Sequence, residues 1–421
     1  MRTSHLVILL VFLTAPLHAQ KPIYQGQGPT RAVQTTNRPI VPQWKGIYAL
    51  DDSTVFFSND FQGGRLNGIT QSGDNSFTIV ITPENEPINP SPWYAFKVWS
   101  TSDREVKLYY TYQNAKSRYF PKLSSDGGTW QSLDSTDYQE FEKGSADFGP
   151  GSLPETIEIT MRVSTDTLWV AAQELQTTSY VYGWMDELSA QKDVTMRSIG
   201  KSKEGRNMRL MSIGDQDSKK RVMIISRQHP PEVTGYLAMR GFIETVAGDS
   251  KLARKFRKTF VVDVVPLMNP DGVDNGHWRH NSGGIDLNRD WSDFNQPETR
   301  NVRDYAQEKV STGQARYHFF IDFHSTWDDI YYTIDSTLLS DDQMILYDWV
   351  DQMDDRIPDY TPNVRPSNKI EPTTVSRNYF FKTFDTPGLV FEFGDNTDRE
   401  FLDHKGTVAA EALMELLLNA N

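Results

Sequence analysis

The sequence contains no cysteine. That absence excludes disulfides, a thiolate nucleophile and thiolate metal ligation, so any metal ion must be held by histidine, aspartate or glutamate. Basic residues are outnumbered: 43 Lys+Arg stand against 56 Asp+Glu, a formal net charge of −13. No broad positive field is available to attract phosphates, so nucleic acid is not an expected partner. No apolar run in the chain is long enough to cross a bilayer, so no membrane span is expected. Three catalytic signatures are also missing. Without HExxH there is no helical zincin site, without GxSxG no α/β-hydrolase serine, and without GxxxxGK[ST] no P-loop.

What is present begins with MRTSHLVILLVFLTAPLHAQ. Arg2 precedes an apolar run from Leu6 to Leu13, and Ala19 stands at a small-residue cleavage position. Residues 1–19 therefore read as a signal peptide, and the protein as secreted or periplasmic in a bacterium. Residues 20–45 are rich in Pro, Gln and Thr with no hydrophobic period, and read as a tail or linker.

Residues 46–178 alternate with period two: Phe77, Ile79, Ile81; Val106, Leu108, Tyr110, Tyr112; Ile157, Ile159, Met161, Val163. Turn clusters at 60–64, 124–128 and 144–151 separate them. This pattern predicts an antiparallel β-sandwich domain. Its Trp93, Trp99, Trp130 and Trp169 offer a glycan or protein contact, although tryptophan more often serves core and edge packing. From 180 to 421 the pattern changes. Continuous apolar segments at 221–226 (RVMIIS), 260–267 (FVVDVVPL), 317–323 (YHFFIDF) and 388–393 (GLVFEF) alternate with helical stretches, among them 232–247 and 403–419. The fold class is α/β, a mixed and largely buried sheet flanked by helices.

In open α/β sheets, function collects past the carboxyl ends of the strands. Four polar clusters fall there: His229 and Glu232 after RVMIIS, NPDG at 269–272, His324 directly after YHFFIDF, and Glu392 near the end of GLVFEF. His229 and Glu232 lie three residues apart at a strand-to-helix turn, so both side chains reach one side of a first turn. Pro230 and Pro231 suit that position, because the first N–H groups of a helix have no intrahelical partner. A catalytic zinc held by such a pair needs a third protein ligand and an open position. A lone histidine at a strand end is usually a hydrogen-bonded structural group, but the HxxE pair upstream makes His324 the candidate third ligand.

These residues carry a resemblance. HPPE (229–232), NPDGVDNGHWRHNSGGIDLNRDW (269–291), DFHS (322–325) and FEFGD (391–395) resemble, in order, the motifs of the M14 (carboxypeptidase A-like) zinc carboxypeptidases. IGKSKEGRNMRLMSIG (199–214) resembles the opening of that domain. FFSNDFQGGRLNGI (56–69) and WYAFKVWS (93–100) resemble the amino-terminal signatures of the cytosolic-carboxypeptidase-like branch, which carries a β-sandwich ahead of its catalytic domain. The resemblance implies one Zn2+ ion held by His229, Glu232 and His324. It implies Glu392 as general base, Arg279 as the group that polarises the scissile carbonyl, and Asn288 with Arg289 as the grip on the substrate's terminal carboxylate.

Two departures matter. The arginine that pancreatic-type members place between the first two ligands is Pro231 here, as in the cytosolic-like branch. The substrate-capping tyrosine of the family has no counterpart in NKIEPTTVSR (368–377), which leaves Tyr331 and Tyr379 as stand-ins. Arg377, 15 residues before Glu392, matches by an ungapped count the position that sets side-chain preference, and an arginine there would favour an acidic terminal residue. The implied function is a secreted metallocarboxypeptidase that hydrolyses a peptide bond next to a free C-terminal carboxylate with zinc-activated water. The alternatives are a murein-peptide amidase of the γ-D-Glu–diaminopimelate type, an N-acyl amino-acid deacylase, and an inactive peptidase-like module that binds glycan or protein.

Overall fold

The computed structural model describes residues 30–141, 156–312 and 315–420. The leader-like segment 1–19 and the turn cluster at 144–151 lie outside the described residues.

Eleven strands come first among the described residues: β1 (Ile47–Leu50), β2 (Val55–Ser58), β3 (Gly68–Gly73), β4 (Ser76–Ile81), β5 (Ala95–Ser100), β6 (Arg104–Tyr112), β7 (Lys122–Ser124), β8 (Gln131–Ser132), β9 (Tyr138–Phe141), β10 (Thr156–Val163) and β11 (Leu168–Ala171). They form two sheets, β1-β2-β5-β11-β7-β8 and β3-β4-β6-β10-β9. Every pairing is antiparallel except β4 with β6, which run parallel. The period-two residues do what the alternation predicts: Phe77, Ile79, Val106, Leu108, Ile157 and Ile159 are all buried in the core between the sheets. Val233 and Trp278, from the second half of the chain, complete that same core. Of the four tryptophans, Trp93 is buried and donates its indole N–H to the Gly63 carbonyl at 2.8 Å. The other three are half-buried; Trp99 stacks on Phe56, Trp130 donates to the Gly127 carbonyl, and Trp169 packs edge-on against Phe61.

Residues 30–45 carry neither helix nor strand, yet they are tied to both halves of the chain. Arg38 N–H donates to the Gly283 carbonyl at 2.8 Å, Val41 N–H to the Glu84 carbonyl at 2.7 Å, and the Thr35 carbonyl accepts from Gln296 at 2.7 Å.

The second half runs α1 (Thr178–Ser189), β12 (Val194–Lys201), β13 (Asn207–Ile213), β14 (Lys220–Ser226), α2 (Val233–Ala247), α3 (Lys251–Arg257), β15 (Phe260–Val265), α4 (Pro270–Asn275), α5 (Pro297–Ser311), β16 (Arg316–Thr326), β17 (Ile330–Ile334), α6 (Ile345–Arg356), β18 (Val364–Ser367), α7 (Ser376–Phe384), β19 (Gly388–Gly394) and α8 (Arg399–Asn419). Its eight-stranded sheet has the order β12-β13-β15-β14-β16-β19-β17-β18. The centre, β15-β14-β16-β19, is parallel, and antiparallel pairs flank it. Because side chains alternate across a strand, continuous apolar runs fill two cores at once. Val222, Ile224, Phe319, Ile321 and Phe323 join the core under α2, α6 and α8, while Met223, Ile225 and Phe320 join Val302, Tyr305 and Phe380 under α5 and α7. The α/β class and the strands expected from RVMIIS, FVVDVVPL, YHFFIDF and GLVFEF are therefore present, with β16 extending three residues past its expected end.

Candidate active site

The carboxyl ends of β14, β16 and β19 open on one side of the sheet. β14 stops at Ser226, and Arg227 turns the chain with a positive φ of 56°. HPPE follows. Glu232 is the N-cap residue of α2, and its side chain does not cap the helix; it points instead to the two histidines. His324 is not past a strand end but inside β16, in register with Glu392 of the parallel neighbour β19. That pairing sets both side chains on the same side of the sheet. The helix carrying Glu232 comes close enough only because residue 235 is glycine: a Cβ there would meet the His324 carbonyl oxygen at 2.3 Å.

The ligating atoms of His229, Glu232 and His324 lie within 4.8 Å of one another, and all three residues are buried. Nδ1 of His229 is 2.8 Å from Glu232 Oε1, and Nδ1 of His324 is 2.6 Å from Glu232 Oε2. The opposite ring nitrogens face carboxylates as well: His229 Nε2 is 2.8 Å from Asp286 Oδ1, and His324 Nε2 is 3.0 Å from Asp322 Oδ2. If each Nε2–H donates to its aspartate, both Nδ1 lone pairs point at a carboxylate. Three lone-pair donors gathered in one buried spot repel unless positive charge sits among them. This donor set fits a divalent ion with His2Glu ligation, and the outer aspartates fix the tautomer that ligation needs. The same demand for positive charge appears in the protonation of the groups. Burial opposes the charge on Glu232, but the two imidazoles hold its carboxyl well below the usual range. Burial likewise opposes charge on His324, and Asp322 and Glu232 push it well above the usual imidazole value.

Around this centre is a pocket of about 200 Å3. Arg279, Asn288, Arg289, Arg377, Tyr332 and Glu392 are among its walls. A larger open hollow of about 900 Å3, beside Asp193, Gly214 and Arg257, lies at the opposite end of the sheet and contains none of the residues singled out from the sequence. Glu392 Oε2 is buried with no hydrogen-bond partner among the described residues. Burial lifts its carboxyl to about 7, with Glu232 adding to the rise and His324 opposing it. Arg279 is anchored through Nε to Asp286 Oδ2 at 2.8 Å. Asn288 Oδ1 accepts the Ser376 N–H at 3.0 Å, and Arg289 donates to the Asn288 carbonyl at 2.7 Å. Arg377 is buried, not on the outer surface; it donates to the Thr333 carbonyl at 3.3 Å, and burial lowers its guanidinium to about 10.

Neither tyrosine stand-in reaches the pocket. Tyr331 is buried with its hydroxyl 3.0 Å from that of Tyr360, and Tyr379 packs on Trp291 and Phe294 while accepting from Gln307. Tyr332, the neighbour of Tyr331 on the other side of β17, is the tyrosine that lines the pocket. Several groups that matter here carried no role in the sequence reading. Asp286 lies inside the DLNRD motif. Asp322 precedes His324 by two residues on the same strand, a spacing that places both on one face. Asn89 and Arg118 line the pocket from the first half of the chain and had no local signal. Arg118 is held by Asp395 at 2.7 Å, by Ser91 at 2.7 Å and by the Ser325 carbonyl at 3.1 Å.

Residues 181–382 match the family model for zinc carboxypeptidases, Peptidase_M14. These residues form a zinc carboxypeptidase domain. Among curated proteins it is 26% identical over 272 residues to an uncharacterised protein of Zymomonas mobilis, covering 64% of this chain and 67% of that one. It is also 26% identical over 294 residues to cytosolic carboxypeptidase 3 of Mus musculus, covering 61% of this chain but 28% of that protein. The chain thus spans less than a third of that mouse relative. Among solved structures, a metallo-carboxypeptidase from Burkholderia cenocepacia superposes with a TM-score of 0.69 at 19% identity, over 87% of this chain and all of that one. Identity that low establishes a shared fold. No helix among the described residues is long and apolar enough to cross a membrane.

Proposed function

We propose that the protein is an exported zinc metallocarboxypeptidase that removes a residue, preferentially an acidic one, from a free peptide C-terminus. The observation that carries this reading is the meeting, in one pocket, of three convergent metal donors, an unpartnered Glu392 oxygen and four arginines. His229, Glu232 and His324 would hold the ion. When bound, zinc supplies Lewis acidity toward the scissile carbonyl and the attacking water.

The remaining chemistry belongs to the chain. Arg289, with Asn288 beside it, grips a terminal carboxylate through paired charge-assisted hydrogen bonds, which selects a chain end over a mid-chain peptide. Arg279 offers fixed positive charge where the carbonyl oxygen becomes an oxyanion. Glu392, poised near neutrality, takes a proton from the water and returns it to the leaving amine. Arg377 stands in the pocket wall where an acidic side chain would gain a charged partner. The division of the chain into a sandwich domain at 46–178 and a catalytic domain at 180–421, and export through residues 1–19, remain part of this proposal; the mature amino terminus, read from secreted or periplasmic protein, tests the latter.

A peptide-library digestion with and without chelator, run beside Glu392→Gln, tests the activity. Single C-terminal residues should be released, chelator should stop the release, and Glu392→Gln should slow it ~10²- to 10⁴-fold. Equal background release by both proteins would refute the peptidase reading. For specificity, Arg377→Asp should shift preference from C-terminal Glu toward Lys; an unchanged preference removes the acidic-end reading while leaving the peptidase intact.

A further inference from the structure

We propose that Glu84, contributed by the loop that follows β4, is a positioning residue for Arg279 and that the active site is incomplete without it. The inference rests on the reading of Arg279 as the oxyanion-stabilising group. Glu84 follows β4 and is fully buried. Its carboxylate accepts three successive backbone N–H groups: Trp278 on Oε2 at 2.7 Å, and Arg279 and His280 on Oε1 at 3.0 and 2.7 Å. Residues 278–280 belong to no helix or strand, so no backbone ladder serves those groups. Three adjacent N–H groups converging on one point form an anion-binding concavity, and here a side chain from some 190 residues away along the chain fills it.

The neighbours tie the same two segments together. Arg65 donates through Nε to the Thr82 carbonyl at 2.8 Å and through Nη1 to the Gly276 carbonyl at 3.0 Å. The Asn85 side-chain oxygen is 2.6 Å from His280 Nδ1. Gly276, which ends α4 with a φ of 67°, turns the chain into this loop. Burial opposes the Glu84 charge, but His277 and Arg65 offset it and hold the carboxyl at about 2, so it is ionised at neutral pH. The backbone of Arg279 is thus fixed by Glu84 and its guanidinium by Asp286, which also holds His229. The route from Glu84 to the metal-binding histidine passes through four residues in contact.

A glutamine at 84 presents one acceptor and one N–H2 group to three donors, so at least one backbone N–H is left facing another donor. The test is a double-mutant cycle of Glu84→Gln with Arg279→Ala on a C-terminal peptide substrate at saturating metal. Glu84→Gln should lower kcat by up to ~100-fold with KM little changed. In the Arg279→Ala background the same change should have little further effect on kcat. A loss of kcat that persists undiminished without Arg279, or no loss at all, overturns the proposal. Glu84→Asp, which keeps the charge, supplies the cycle if the glutamine variant does not fold. Hydrogen exchange provides an arm independent of turnover: Glu84→Gln should raise exchange across 276–286 selectively. Unchanged protection there overturns the positioning role, whereas absence of turnover in the wild type with raised exchange in the variant would refute the peptidase reading and leave the clamp standing.

Discussion

Asp286 bridges two groups on which the proposed chemistry depends, so the variant Asp286→Asn separates them. In the native site Oδ1 accepts His229 Nε2–H at 2.8 Å and the Asn288 backbone N–H at 2.9 Å, while Oδ2 accepts Arg279 Nε–H at 2.8 Å. Burial opposes the Asp286 charge, yet Arg279 and His229 hold its carboxyl well below the usual range. An asparagine has one oxygen for these three donors. With the oxygen toward His229, two bonds survive and the N–H2 group confronts Arg279. With the oxygen toward Arg279, one survives and two donors are left facing the amide. The first orientation is favoured by one hydrogen bond, roughly 1 kcal/mol.

The expected phenotype is therefore lopsided. Metal affinity should fall by no more than about tenfold, because His229 keeps an acceptor that orients it. Activity at saturating metal should fall ~10²-fold or more, close to the loss of one oxyanion-stabilising donor, about 3 kcal/mol. Asp286→Ala removes both supports, and its metal affinity should drop further, toward ~100-fold. Competition with a chromophoric chelator measures the first quantity, and steady-state kinetics with excess metal the second. If Asp286→Asn lost more metal affinity than Asp286→Ala, or if neither variant lost activity, the bridging role assigned to this carboxylate would be wrong.

Other perturbations follow from packing and burial. Gly235→Ala places a methyl group against the His324 carbonyl, where backbone and not a flexible side chain must move. It should cost about 1–3 kcal/mol in urea denaturation and weaken metal binding at the same time; wild-type stability and metal affinity together would contradict the close approach of α2. Burial lowers His280 to about 4; Glu84 and Asp286 oppose the drop, while Arg38 and Arg279 add to it. Its unfolded value is higher, so its contribution is complete above about pH 6.5 and is lost as pH falls toward 4, by up to ~3 kcal/mol. Urea stability measured between pH 7 and 4.5 should fall, and His280→Gln should flatten part of that slope; a wild-type slope shared unchanged by the variant would remove His280 as its cause.

How legible each part was depends on sequence distance. His229 and Glu232 are local to one turn, and Asp322 and His324 to one strand, so spacing alone places each pair on a common side. The convergence of the pairs is a property of parallel strands, whose carboxyl ends share an edge. The continuous apolar runs declared a two-sided sheet, although not where it ends. β16 continues through Thr326 because it pairs with β19 from Phe320 to Thr326, a long-range partnership that strand composition does not reveal. The tyrosines show the finest resolution at which such reading fails. Tyr331 and Tyr332 are adjacent on β17, and a one-residue difference decides whether a side chain enters the core or the pocket.

The amino-terminal sheets were harder to read for a different reason. Their alternation announced a sandwich with its own core, and nothing in that pattern marks a residue as belonging to the other half of the chain. Yet Glu84 holds the Arg279 loop, Arg118 lines the pocket while bound to Asp395, and Val233 and Trp278 sit in the sandwich core. Each of these contacts joins residues well over a hundred positions apart, and each is buried, where an unmatched charge or N–H is costly. A buried carboxylate such as Glu84 is unstable as an element of the sandwich alone, since its three donors come from the loop at 278–280. The same loop without Glu84 would bury three unpaired N–H groups. Neither half satisfies its polar groups by itself, and the pocket wall carrying Arg279 exists only where the two meet.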